Sequence, residues 1–226
     1  MKVIVFGATG MVGQGVLRES LRDDSVTEVL VIGRRPTGIT HPKLRELVHP
    51  DLRELLARPG VDAELAGYDA CFFCLGVSAV GMTEEAYRRV TYDLTLAAAR
   101  ALSAVNPDLT FLYVSGQGTD STERGRSMWA RVKGETENAL LALPLRTYLL
   151  RPGYIQPLHG ITSRTRLYRV LYRVTSPLYP LLRRLAPGHV TTTEQLGRAM
   201  LSIAGGGAPR PVLHNGDINR VALGAG

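Results

Sequence analysis

Val3-Ile4-Val5-Phe6-Gly7-Ala8-Thr9-Gly10-Met11-Val12-Gly13-Gln14-Gly15 is the stretch that decides the fold. Its first four residues are β-branched or aromatic, the make-up of a strand buried on both faces, and the run stops at a glycine. Glycines recur at 7, 10 and 13 before the helical run Gln14–Leu21. Gly7 permits a sharp turn off the strand, Gly10 lets a phosphate approach bare backbone, and Gly13 lets the new helix lie close to the sheet. Thr9, Met11 and Val12 complete the turn. The free N–H groups and partial positive charge of the helix start suit a pyrophosphate.

A single α/β domain spanning 1–226 fits the length, which supports one substantial core. The hydrophobic share of 45% is ordinary for a globular chain. No run approaches the roughly 18 apolar residues of a membrane span. Met1-Lys2 leads straight into the first strand, and a cytoplasmic location is expected. Net charge is +7. Arg164, Arg166, Arg169, Arg173, Arg183 and Arg184 lie in one stretch with no acidic residue between Ile161 and Val190, so much of the excess is local. No base-reading element accompanies it, and nucleic acid is not an expected partner.

Glu28–Gly33 reads as the second strand. Chains that bind NAD usually end this strand with an acid for the ribose 2′-hydroxyl; here Gly33-Arg34-Arg35 follows. Arginines attract a 2′-phosphate and hold it bidentately, which predicts NADP(H) as cofactor. Leu44–Val48 reads as a third strand and Leu52–Ala57 as a helix that Asp51 caps. Arg58–Gly67 reads as loop with some helical character.

Asp69–Gly76 is the expected fourth strand, apolar on both faces as in a central parallel strand. Cys71 and Cys74 then point to opposite faces and cannot pair. Thr83 caps a helix whose buried stripe reads Ala86, Val90, Leu94, Ala97, Ala101 and Val105. Leu109–Ser115 and Leu145–Leu150 read as the fifth and sixth strands, and strands alternating with helices give a doubly wound parallel sheet with helices on both faces.

The wording Gly7-Ala8-Thr9-Gly10-x-x-Gly13 resembles the atypical and extended short-chain dehydrogenase/reductases and their epimerase-like relatives. Between Cys74 and Gly153 the chain is most similar to the TIP30-like group, through Leu75-Gly76, Val114-Ser115, Lys133-Gly134-Glu135-Thr136-Glu137 and Arg151-Pro152-Gly153. The resemblance implies a Rossmann domain and an oxidoreductase or epimerase-like activity on a small molecule. It places Asp51 and Leu52 beside the adenine, and Leu75 and Gly76 beside the pyrophosphate and nicotinamide ribose. Pro152 and Gly153 face the nicotinamide, Ser115 holds a substrate carbonyl, and Lys133 binds the ribose and lowers the pKa of a tyrosine four residues earlier. Thr91 stands where extended members carry an Asn. This chain departs at the decisive point: residue 129 is Trp, whose indole N–H cannot shuttle a proton. Tyr113 and Tyr154 are alternative donors; substrate or water is another source. A protein that binds NADP(H) without turning it over is the remaining reading.

Residues 156–190 match the region where extended members build a helical substrate lid. Leu167, Val170, Leu171 and Val174, then Leu178, Leu181, Leu182 and Leu185, recur at helical spacing among the arginines. A basic amphipathic helix of this kind also suits an anionic membrane surface, which makes Arg164–Arg184 a candidate membrane contact and the fold a scaffold for it. Thr191–Met200 reads as a capped terminal helix, Gly205-Gly206-Gly207 as a flexible break, Val212–Asn215 as a short edge strand, and the remaining residues as frayed.

Overall fold

The computed structural model describes residues 1–161, 179 and 184–224. The buried run at the N-terminus forms β1 (Lys2–Phe6), followed by α1 (Met11–Arg22), β2 (Glu28–Gly33) and β3 (Leu44–Val48). Then come α2 (Leu52–Ala57), α3 (Val61–Leu65), β4 (Ala70–Phe73), α4 (Glu84–Arg88), a π-helical turn (Arg89–Asp93) and α5 (Leu94–Val105). The second half holds β5 (Thr110–Val114), α6 (Met128–Leu141), β6 (Arg146–Arg151), β7 (Tyr154–Gln156), β8 (Val190–Thr192), α7 (Thr193–Gly206), β9 (Val212–His214) and α8 (Asn215–Leu223).

Seven strands form one sheet in the order β3-β2-β1-β4-β5-β6-β9, every pair parallel. Two apolar layers cover it. Val3, Val5, Phe72 and Leu112 face α1, α7 and α8, whereas Ile4, Phe6, Phe73, Phe111 and Tyr113 face α2, α3, α5 and α6. Buried Cys71 lies in the second layer and Cys74 packs against the first; both are free, as their spacing requires. The strand order reverses between β1 and β4, and the crevice beyond the carboxyl ends of these strands is where doubly wound sheets bind ligands.

Several elements depart from the sequence reading. α1 starts at Met11 rather than Gln14, because Gly10 itself is the N-cap. β4 stops at Phe73: the chain then crosses the turn of β1, and a Cβ on Gly7 would sit 2.6 Å from Leu75 N. Within Arg58–Gly67 a turn of helix, α3, buries Val61 and Leu65. The stripe after Thr83 is displaced. Apart from Leu94 its predicted members are only half-buried, and Tyr87, Thr91, Ala98 and Leu102 take the core positions instead. The π-helical turn at Arg89–Asp93 adds a residue to the repeat and rotates the face, which a uniform 3.6-residue period cannot anticipate. Thr83 does cap α4, accepting from Ala86 N at 3.2 Å.

The chain end is not frayed through residue 223: α8 buries Asn215, Asp217, Ile218 and Ala222, and Asp217 closes a capping box with His214. α7, capped by Thr192, is therefore not terminal. Of the lid and membrane-contact readings, residues 162–178 and 180–183 lie outside the described residues. The segment's base is described: β7 pairs with β8 in parallel, Tyr154 opposite Val190.

Candidate active site

At the switch point the chain ends β1 with Gly7 in the left-handed region, φ +78°, and Gly10 N donates to Gly7 O at 2.9 Å. A Cβ on Gly13 would lie 2.1 Å from Gly7 O, so this glycine sets how close α1 comes to the turn. At Gly10 an added Cβ would meet only Gly7 O, at 3.3 Å, and no side chain caps α1. The helix start faces open space with its N–H groups unclaimed by side chains, the cradle an anion requires.

Two hollows meet there. One, about 810 Å³, runs from Gly7, Thr9 and Gly10 past Arg34, Arg35 and Leu52 to Leu75, Gly76 and Ser78. The other, about 560 Å³, is lined by Ser115, Gln117, Trp129, Lys133, Pro152, Gly153 and Tyr154. They share Gly10, Met11, Val12, Cys74, Gly76 and Ser115, and so form one groove. Arg34 and Arg35 are exposed at its far end, and neither forms an ion pair with a described residue. Two expected members do not line the groove. Gly13 lies beneath the turn, and the Asp51 carboxylate is the N-cap of α2, accepting from Arg53 N at 2.8 Å and Glu54 N at 3.3 Å.

At the second hollow, Lys133 on α6 donates from Nζ to the Ser115 main-chain carbonyl at 2.7 Å. Burial lowers its pKa to about 8, against an opposing pull from Glu137. Ser115 does not present its hydroxyl to the hollow as a free donor. That proton goes to Glu137 Oε1, and the same carboxylate is gripped by Arg151, whose Nε lies 3.0 Å and 3.1 Å from its two oxygens. Glu137 is 1% exposed, so the pair is a buried one. Glu137 stands at the i+4 spacing of a helical ion pair with Lys133, but the fold gives its carboxylate to Arg151 and Ser115.

Tyr113 shares the strand face of Ser115, as expected, but is sealed in the core against Phe73 with ring centroids 6.1 Å apart, and burial pushes its phenol pKa up. Tyr154 lines the hollow and donates to Gln156 Oε1 at 2.9 Å. Trp129 walls the hollow one turn before Lys133. Sequence reasoning passed over Gln117, Cys74, Ile155 and the Glu137–Arg151 pair. Gln117 carried a usable signal, since it follows the fifth strand directly in a glycine-rich turn; its backbone N–H donates to Pro152 O at 2.8 Å.

No family model matches the chain. It is 27% identical over 157 residues to the protein FMP52-1, mitochondrial, of Scheffersomyces stipitis, covering 69% of this chain and 67% of that one. To the protein HTATIP2 of Rattus norvegicus it is 26% identical over 154 residues, 68% of this chain and 62% of that one. The match spans between 44% and 67% of the length of such curated relatives. Among solved structures, Bordetella bronchiseptica WbmF in complex with NAD+ superposes with a TM-score of 0.67 at 17% identity, covering 99% of this chain and 77% of that one. A short chain dehydrogenase family protein of Francisella tularensis gives 0.63 at 14%, covering 91% of each. The FMP52 relatives are named mitochondrial, which overturns the expected cytoplasmic location. That expectation rested on Met1-Lys2 leading straight into the first strand.

Proposed function

We propose that this chain is an atypical short-chain dehydrogenase/reductase of the TIP30-like kind, that it binds NADP(H) in the groove and that it acts as an oxidoreductase or epimerase-like enzyme on a small molecule. The observation that carries the reading is the continuity of the groove from Arg34 and Arg35, past the bare start of α1, to Lys133. Gly7, Thr9, Gly10, Met11 and Val12 would hold the pyrophosphate, and Arg34 and Arg35 the 2′-phosphate. Leu52 would border the adenine; Leu75, Gly76, Pro152 and Gly153 would border the nicotinamide end. The cofactor supplies a hydride; the substrate lies in the hollow between Trp129, Tyr154 and Lys133.

A titration with NADPH and NADH tests this, followed by the fluorescence of Trp129, the only tryptophan. NADPH should quench at a concentration about ten- to hundred-fold below NADH, the worth of one or two charge-assisted contacts. Replacing Arg34 and Arg35 with Ala should erase the difference. No quenching and no binding of either nucleotide by calorimetry would overturn the reading. A non-catalytic NADP(H)-responsive protein is the second reading, favoured by Trp129 in the tyrosine position and by the Ser115 hydroxyl being held by Glu137. Binding without turnover of any carbonyl compound supports it.

A further inference from the structure

The groove carries few groups able to give a proton to a substrate. The Ser115 hydroxyl donates to Glu137, a carboxylate already neutralised by Arg151. Tyr113 is sealed in the core, and Cys74 carries a thiol that burial holds protonated. Tyr154 donates to Gln156. Lys133 remains: its amine lines the hollow beside Trp129 and is fixed by one hydrogen bond to a main-chain carbonyl. That bond uses one of the three N–H donors of an ammonium and leaves others for the hollow.

We propose that Lys133 is itself the proton donor of this site, in place of the missing tyrosine, and that the buried Glu137–Arg151 pair is a positioning device that turns the Ser115 hydroxyl away and leaves its carbonyl to aim the amine. The inference rests on the reading of the groove as an NADP(H) site. In the direction of reduction, the substrate carbonyl carbon gains a hydride, two electrons and a hydrogen, at the expense of NADPH, which becomes NADP+. The C=O π pair moves onto oxygen, and that oxygen takes a proton from Lys133 Nζ. The lysine is left a neutral amine and is recharged by a proton from water.

The charges around Lys133 agree with such a cycle. Glu137 on the same helix favours the charged form, and Glu137 is itself paired with Arg151 on β6. Tyr113 from β5 offers its ring 5.7 Å from Nζ, while Cys74 from the end of β4 and Tyr154 from β7 line the hollow. Tyr87 of α4 is buried, and Arg88 of α4 pairs with Glu135 of α6. Burial therefore decides, and the amine is able to lose and regain its proton near neutral pH.

The chain has only three lysines, Lys2, Lys43 and Lys133, so protein labelled with 13C-lysine gives three Cε signals, and Lys133→Met identifies the third. That signal should titrate near pH 8. Titration of the Lys133 signal at the ordinary lysine value of 10.5 would overturn the proposal, whether or not NADPH binds. Loss of NADPH quenching is a separate result and strikes the cofactor reading. With 4-nitrobenzaldehyde as probe, NADPH oxidation should fall as pH rises through about 8. Lys133→Met should lose about 100-fold or more in kcat. Lys133→Arg keeps the charge and the hydrogen bond but cannot titrate here, and should fail equally while still quenching with NADPH; restored turnover in Lys133→Arg would overturn the proposal. In Glu137→Gln the fall should move to lower pH, a shift that a merely structural role for Glu137 would not produce.

Discussion

Glu137 shows how far a single residue's role depends on what surrounds it. On a helix surface it would be a solvated partner for Lys133 worth a few tenths of a kcal/mol. At 1% exposure, gripped by Arg151, it is a buried charge whose partner cannot be removed cheaply. Arg151→Met should lower the free energy of unfolding by about 3–5 kcal/mol, read from urea denaturation, because it strands the carboxylate. Lys133 gives a second test. Its pKa falls from 10.5 to about 8 on folding, so between these values the unfolded chain binds more protons. This residue's contribution to stability therefore rises as pH increases from 8 to 10.5, and the whole penalty is present below 8. Lys133→Met should be more stable than the parent at pH 7, and the gap should narrow by pH 10, as paired melts would show.

At the scale of elements, the turn between β1 and α1 carries the site. Gly13→Ala places a methyl 2.1 Å from Gly7 O and must push α1 away from the sheet. It should weaken NADPH quenching as well as lower Tm. Asp51 offers a contrast, since its carboxylate caps α2. Asp51→Ala should cost about 1 kcal/mol of stability in a urea melt. The β1 and β2 patterns, the two cysteines on opposite faces, and the Thr83 cap were legible because each depends on neighbours in the chain. The rotated stripe of α4 and α5 was not, since a π-helical turn is a local insertion that packing against α6 must accommodate.

Over the whole molecule, the sheet order puts the ends of β1, β4 and β5 side by side and gathers residues from Gly7 to Ile155 into one groove. A ligand bound there should stabilise the entire domain by mass action. NADPH at 100 times its Kd should add about 2.7 kcal/mol, seen as a rise in Tm that NADH at equal concentration does not match. The superposition on solved structures at 14–17% identity belongs to this scale too: it reports the path of the chain, while the chemistry stays with individual side chains.

By itself the sequence determined the parallel doubly wound sheet, the glycine turn at Gly7–Gly13, the arginines at the end of β2 and the absence of tyrosine at 129. Each is written in spacing and residue type over a short span, where steric limits on the backbone act. Only the tertiary structure decided that Glu137 belongs to Arg151 and Ser115 rather than Lys133, and that Tyr113 is shut away. Those outcomes turn on which side chains meet across α6, β5 and β6, and on how deeply they are buried. Desolvation and pairing are properties of the packed interior, and no window of sequence contains them.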